Sequence, residues 1–254
     1  MNMIIEDFKP VSDTPAPLSP KGSALFLDLD GTLAPIAARP QDVGPDPRRT
    51  GLVERLAHAL DGRVAVISGR ALTDIDRILE RRIRPVAAVH GLVRRRTDGG
   101  IEETPPHPDL AVARDAFRAL AAAAPGLLVE DKGNSVALHY RQAPGFAEPA
   151  RAEAARLAAE TGLTRQDGAM VVELRTPGPN KGDCVRAFLA EPPFRGARPV
   201  FVGDDLTDED GFAVAEALGG FGVLVGAPRP TRARYRLADV SETLDWLEAA
   251  LWAG

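Results

Sequence analysis

Four short stretches hold the residues best suited to chemistry: Asp28-Leu29-Asp30-Gly31-Thr32, Ser68-Gly69-Arg70, Lys181, and Gly203-Asp204-Asp205 with Asp208 close behind. The first follows an apolar run, Ala24 to Leu27, so two carboxylates one residue apart stand at the end of a strand with a buried look. A buried carboxylate is costly unless something pairs with it. Asp28 and Asp204 together suit a hard divalent cation with oxygen ligands, and Mg²⁺ is the expected one. A cation there keeps the aspartates ionised and screens them from an incoming phosphate. Ser68, Lys181 and the backbone amides of the Gly31 turn are expected to donate to a phosphoryl group. Asp28 is then the nucleophile that forms an aspartyl-phosphate. Asp30 protonates the leaving alkoxide and later takes a proton from the attacking water. Each stretch has a plainer alternative. Asp-x-Asp-Gly-Thr also reads as a turn with a helix cap, and the run from Gly203 to Asp210 as a solvated acidic helix start.

The elements that must position these residues follow from periodicity. Residues 24–28, 63–68 and 85–91 read as strands, with helices over 48–60 and 73–81 between them. Strand-helix alternation predicts a parallel sheet with right-handed crossovers. The pattern then changes. After a hairpin around Asp98-Gly99-Gly100, residues 104–175 read helix, strand, strand, helix, strand, strand, an α+β module with one antiparallel sheet and helices on one face. The first pattern resumes with a helix over 181–190, a strand ending at Gly203-Asp204-Asp205, a helix over 208–218, a strand over 220–226 and a final helix that Ser241 is expected to cap. The predicted organisation is a loose proline-rich arm at 1–20, a core of 21–103 and 176–254, and an inserted module of 104–175 joined by two hinge-like crossings. Ligands of open parallel sheets sit outside the carboxyl ends of the strands, and all four stretches fall at such ends or at the start of the helix that follows the insertion.

Composition narrows the function classes. The 254 residues include 31 basic and 36 acidic side chains, for a net charge of −5. That balance argues against a nucleic-acid partner. No window approaches 18 consecutive apolar residues, so no membrane span is expected. One cysteine, Cys184, excludes an intrachain disulfide and reads as a small buried thiol. No secretory signal is visible, and a cytoplasmic enzyme is expected.

With these residues in place, the chain resembles a haloacid-dehalogenase-superfamily phosphatase. "DLDGT", "SGR", "NKG" and "GDDLTDED" match the four motifs of that superfamily in order. The resemblance implies an α/β, Rossmann-like core with a parallel sheet and an inserted α+β cap. A narrower similarity, to trehalose-6-phosphate phosphatases, rests on "VEDKGNSVALHYR", "VVELRTPGPNKG" and "VFVGDDLTDEDGF". It implies Asp28 and Asp204 as side-chain Mg²⁺ ligands, with Asp30 adding its backbone carbonyl. It implies Ser68 and Lys181 as phosphate contacts, with Arg70 and Thr32 also at the substrate. Glu130, Lys132 and Glu173 stand where the family grips the sugar hydroxyls. The implied activity is hydrolysis of trehalose 6-phosphate to trehalose and phosphate. The substrate partner is a small sugar phosphate, and a trehalose-6-phosphate synthase is the implied functional partner.

Strand alternation agrees in one respect. Glu130 and Lys132 share one face, as do His139 and Arg141, while Val136, Leu138 and Tyr140 take the other; Val172 and Leu174 oppose Glu173. That polar face also reads as a merely solvated one. His139 reads equally as a structural cross-strand partner; His90 reads either as orienting the linker to the inserted module or, the preferred reading, as the end of its strand. The sequence departs from many relatives after His90-Gly91, where Leu92 and Val93 replace an acidic residue. Two other functions stay open: a phosphatase for another sugar phosphate, of the sucrose 6-phosphate or mannosylphosphoglycerate type, and a non-catalytic sugar-phosphate sensor.

Overall fold

A computed structural model describes residues 11 and 13–252. The chain divides into two units: one runs to Glu102 and resumes at Pro179, and the other is Glu103–Gly178.

The first unit carries β1 (Ser23–Leu27), β2 (Val64–Ile67), β3 (Val86–Ala88), β4 (Val93–Arg95) and β5 (Ile101–Glu103). After the four strands of the second unit come β10 (Arg198–Gly203), β11 (Phe221–Val225) and β12 (Tyr235–Leu237). They form one sheet in the order β12-β11-β10-β1-β2-β3-β4-β5. Pairing is parallel from β12 to β3 and turns antiparallel at β4.

Alternation along β1 explains why the sheet is covered on both faces. Leu25 and Leu27 join Val64, Val66, Val200 and Val202 in one apolar cluster. Ala24 and Phe26 join Ala65, Ile67 and Phe201 in another. Helices α1 (Pro47–Ala59), α2 (Leu72–Ile78) and α7 (Val240–Ala250) bring Leu56, Ile78 and Leu247 to the first cluster. Helices α5 (Lys181–Leu189) and α6 (Glu209–Ala217) bring Phe188 and Phe212 to the second. A fully buried Leu or Phe contributes roughly 1.5–3 kcal/mol. A one-residue slip of β1 would exchange its two faces, so its register, and with it the position of Asp28, is firmly set.

From β1 the chain moves to β2 on one side, and after the second unit it returns through β10 on the other. The order of strands therefore reverses at β1 and β10, which opens a crevice outside their carboxyl ends.

Three details differ from the sequence expectations. Helix α7 is capped by Asp239, whose side chain accepts from the Glu242 N–H, so the helix starts one residue before Ser241. Ser and Asp both cap well, and the chain takes the earlier one. Strand β12 was unannounced because its three residues are too few to show a period. Within the proline-rich stretch expected to be loose, the Asp13 carbonyl accepts from the Arg236 N–H and the Ala16 carbonyl from Trp246 Nε1, and Leu18 is buried. Residues 1–10 and 12 of that expected arm lie outside the described residues.

The second unit is a four-stranded antiparallel sheet of β6 (Leu128–Asp131), β7 (Ser135–His139), β8 (Thr164–Gly168) and β9 (Val171–Arg175), in the order β6-β7-β9-β8. Val136, Leu138, Tyr140, Val172 and Leu174 pack with Phe117 of α3 (Leu110–Ala123) and Leu157 of α4 (Ala147–Thr161). Glu130, Lys132, His139 and Glu173 alternate with these residues, and they form the Lys132–Glu173 ion pair and the Glu130–His139 contact described below. Among the described residues no helix is long and apolar enough to cross a membrane.

Candidate active site

Asp28 is the first residue after β1, and its N–H donates to the Val202 carbonyl of β10 at 2.9 Å. The neighbouring strand thus fixes the backbone that carries it. The chain then turns: the Gly31 N–H donates to Ala34 O at 2.7 Å and the Leu33 N–H to Leu29 O at 2.9 Å. Within the turn, the Gly31 N–H is thus committed to Ala34 O. Its lack of a side chain has another use. Its φ is +80°, and a Cβ there would lie 2.1 Å from Asp204 Oδ2. The loop after β1 and the loop after β10 touch at this point.

Lys181 opens α5 behind an Asn180 cap that accepts from the Asp183 N–H. Its buried Nζ donates to Asp28 Oδ1 at 2.8 Å and to Asp208 Oδ1 at 2.6 Å. Asp208 is fully buried and uses both oxygens, because Oδ2 accepts the N–H groups of Asp204 and Asp205, each at 2.9 Å. Carboxylate oxygens of Asp28, Asp204 and Asp208 lie within 4.8 Å of one another.

Three carboxylates against one ammonium leave two negative charges uncompensated in this group. Burial pushes Asp28 up to about 7; Lys181 opposes the shift, and Asp208 adds to it. Burial, then repulsion from Asp28 and Asp208, pushes Asp204 up to about 9. Burial pulls the Lys181 ammonium down, but Asp208 and Asp28 outweigh it and hold it above its ordinary value. Asp204 Oδ1 is buried with no hydrogen-bond partner. An orphaned carboxylate oxygen beside a second carboxylate fits a divalent cation. Asp28 and Asp204 have carboxylate oxygens that could hold it, whereas both oxygens of Asp208 are engaged by Lys181 and the loop backbone.

Ser68 follows β2 and is buried, its Oγ accepting from the Arg70 N–H at 3.3 Å. Arg70 grips Asp30 with two bonds, Nε to Oδ2 at 2.6 Å and Nη2 to Oδ1 at 2.7 Å, and donates from Nη1 to Pro40 O at 2.8 Å. The Thr32 hydroxyl is buried without a hydrogen-bond partner. Asp28, Asp30, Ser68, Arg70, Lys181 and Asp204 are thus all carried by loops or a helix start at the β1–β10 crevice.

In the second unit, Lys132 Nζ donates to Glu173 Oε2 at 2.8 Å, and His139 Nε2 lies 2.8 Å from Glu130 Oε2. Burial pushes Glu130 up, but the His139 hydrogen bond and the Lys132 charge more than offset it and hold the carboxyl below its ordinary value.

Two contributors were not assigned a role from sequence. Asp208 had a faint signal, its spacing of four from Asp204. His90 was read as a strand end, yet Val89 and His90 sit at φ +47° and +56°, where such residues are rare. The His90 N–H donates to Ser68 O at 3.0 Å and the Val89 N–H to Arg70 O at 2.9 Å, so this strained turn supports the Ser68–Arg70 loop.

The parallel sheet with its crevice and inserted second unit is the fold of haloacid-dehalogenase-superfamily phosphatases. A subclass IIB sugar phosphatase of that superfamily superposes with a TM-score of 0.57 at 14% identity, over 87% of this chain and 95% of that one. A family model for trehalose-phosphatase matches residues 26–241, and the chain belongs to that family of phosphoric monoester hydrolases. The trehalose-6-phosphate phosphatase of Escherichia coli strain K12 is 43% identical over 245 residues, covering 94% of this chain and 90% of the relative. A crystal structure described as a trehalose-6-phosphate phosphatase related protein superposes with a TM-score of 0.77 at 28% identity, over 91% of this chain and 97% of that one.

Proposed function

We propose that the protein is a Mg²⁺-dependent phosphatase that hydrolyses trehalose 6-phosphate to trehalose and phosphate through an aspartyl-phosphate on Asp28. The observation that carries this is the Asp28–Lys181–Asp208 cluster facing Asp204, in a chain of the trehalose-phosphatase family.

Asp28 and Asp204 would hold the Mg²⁺, with the Asp30 carbonyl, and the ion would neutralise the carboxylates and polarise the phosphoryl oxygens. Lys181 and Ser68 hold the phosphoryl group, and Thr32 lines the same loop. An Asp28 oxygen attacks phosphorus while the bond from phosphorus to the sugar oxygen breaks, and Asp30 gives that oxygen a proton. Water then attacks phosphorus, Asp30 takes its proton, and the bond to Asp28 breaks to release phosphate. Asp30 is paired with Arg70 in the structure, so it reaches the leaving oxygen only once that pair opens. Arg70 thus acts at the substrate through Asp30. Glu130, Lys132 and Glu173 grip the sugar hydroxyls. A trehalose-6-phosphate synthase is the partner that would supply the substrate.

The test is phosphate release with Mg²⁺ from trehalose 6-phosphate, sucrose 6-phosphate, mannosylphosphoglycerate and p-nitrophenyl phosphate. Sites that pair with substrate hydroxyls discriminate strongly, so kcat/KM for trehalose 6-phosphate is expected to lead by on the order of 10²-fold or more. Equal turnover of all four would contradict the substrate assignment. Binding without release from any of them would support a sensor instead.

A further inference from the structure

The loop that carries Asp204 is held from two sides. Asp208 accepts its N–H groups from within, as described above. From the other side comes Arg229, on the loop between β11 and β12. Its Nη2 donates to the carbonyl oxygens of Asp205 at 2.9 Å and of Asp204 at 3.4 Å. Its Nη1 pairs with Glu209, the first residue of α6, and donates to Pro230 O at 3.1 Å. Glu209 is itself fixed. Its Oε1 accepts from Thr231 Oγ1 at 2.8 Å and its Oε2 from the Arg232 N–H at 2.7 Å. Arg229 therefore reaches the acidic loop from an anchored base, and its guanidinium spans two consecutive carbonyls.

We infer that Arg229 is a positioning residue for the cation site: it fixes the Asp204–Asp205 backbone so that the Asp204 carboxylate stays beside Asp28. The inference rests on the Mg²⁺ site proposed above. Physically, the loop must hold a carboxylate close to another one before any cation arrives. A backbone whose N–H and C=O groups are both bound elsewhere cannot carry that carboxylate away by main-chain movement. Groups one step behind a metal's ligands typically change metal affinity by about 10–100-fold. Arg holds Nη1 on Glu209 and Nη2 on the two carbonyls in one rigid plane, whereas Lys has a single nitrogen for all of these acceptors.

The test is a calorimetric Mg²⁺ titration of metal-stripped protein, wild type against Arg229→Met, with amide exchange of the segment 204–208 measured without metal. Wild type is expected to bind Mg²⁺, and Arg229→Met to bind it about tenfold or more weakly, with faster exchange in that segment and an unchanged KM for trehalose 6-phosphate at saturating Mg²⁺. Arg229→Lys keeps a cation beside Glu209 but has one nitrogen in place of the two that face Glu209 and the carbonyls. It is expected to fall between the two, and it carries the test if the Met variant does not fold. Equal Mg²⁺ affinity in wild type and variant overturns the inference. Failure of the wild type to bind Mg²⁺ overturns the metal site itself.

Discussion

Gly31 and Asp204, 173 positions apart in the chain, approach so closely that a methyl group cannot fit between them: an added Cβ would lie 2.1 Å from Asp204 Oδ2. The contact joins the two loops whose carboxylates define the site. It also joins two demands on one residue, since Gly31 has φ +80°, where side chains are strained.

Replacing Gly31 therefore disturbs the site before it disturbs the sheet. Gly31→Ala is expected to push Asp204 from its position, and a displacement of about 1 Å can lower a rate by about 10²-fold. Steady-state phosphate release from trehalose 6-phosphate measures this. Activity within a few-fold of wild type would show that the two loops tolerate separation.

Asp208 serves three donors at once. Asp208→Asn keeps the shape, but its one carbonyl oxygen can serve either the Asp204 and Asp205 N–H groups or Lys181, and its NH2 then faces the other donors. Removing one partner of a buried ion pair costs about 3–5 kcal/mol. Urea unfolding is expected to show a loss of that order. A loss under about 1 kcal/mol, the range of an exposed pair, would mean that the cluster is held by other contacts.

Mg²⁺ and protons should compete for the same oxygens. Asp28 and Asp204 are raised to about 7 and about 9, mainly by burial, from the ordinary 3.8 of an unfolded aspartate. A carboxyl raised on folding contributes stability that is full below its unfolded value and is lost as pH rises through the folded one. In metal-free protein that contribution therefore fades between about 4 and about 9. A cation that binds the ionised pair restores stability over the same window. The rise in Tm produced by Mg²⁺ is expected to grow from about pH 6 to about pH 9. A rise that stayed flat or shrank with pH would contradict a site made of these two aspartates.

On the second unit, the Glu130–His139 and Lys132–Glu173 pairs leave a polar sheet face opposite the apolar one. If Glu130 grips the sugar, Glu130→Ala should raise KM for trehalose 6-phosphate by tenfold or more, an energy of about 1.4 kcal/mol, while p-nitrophenyl phosphate hydrolysis changes little. Equal losses on both substrates would reduce Glu130 to a structural role.

Much of this arrangement was legible because it is periodic or local. The apolar run Ala24–Leu27 announces a buried strand, and Asp28 and Asp30 follow it at a fixed offset. The polar and apolar faces of β7 and β9 could be read residue by residue for the same reason. What escaped lacks such periodicity. Asp208 serves Lys181, 27 positions away, and Arg229 serves carbonyl groups 24 and 25 positions away, contacts that no spacing rule encodes. Val89 and His90 take left-handed φ values that sequence assigns to glycine, and their N–H groups bond to Arg70 O and Ser68 O. Which amides of the Gly31 turn the fold itself uses is equally invisible to spacing, since the Ala34 O that takes the Gly31 N–H comes up only when the turn closes.

In the proposed reaction Asp28 captures phosphorus in a site completed by Mg²⁺. Its most direct test is acid quenching of the enzyme during turnover of trehalose 6-phosphate carrying radioactive phosphorus, followed by peptide mapping. The label is expected on the peptide containing Asp28 when Mg²⁺ is present, and to be absent after chelation or in Asp28→Asn. Full turnover with label never reaching that peptide, or reaching it equally without Mg²⁺, would contradict the account.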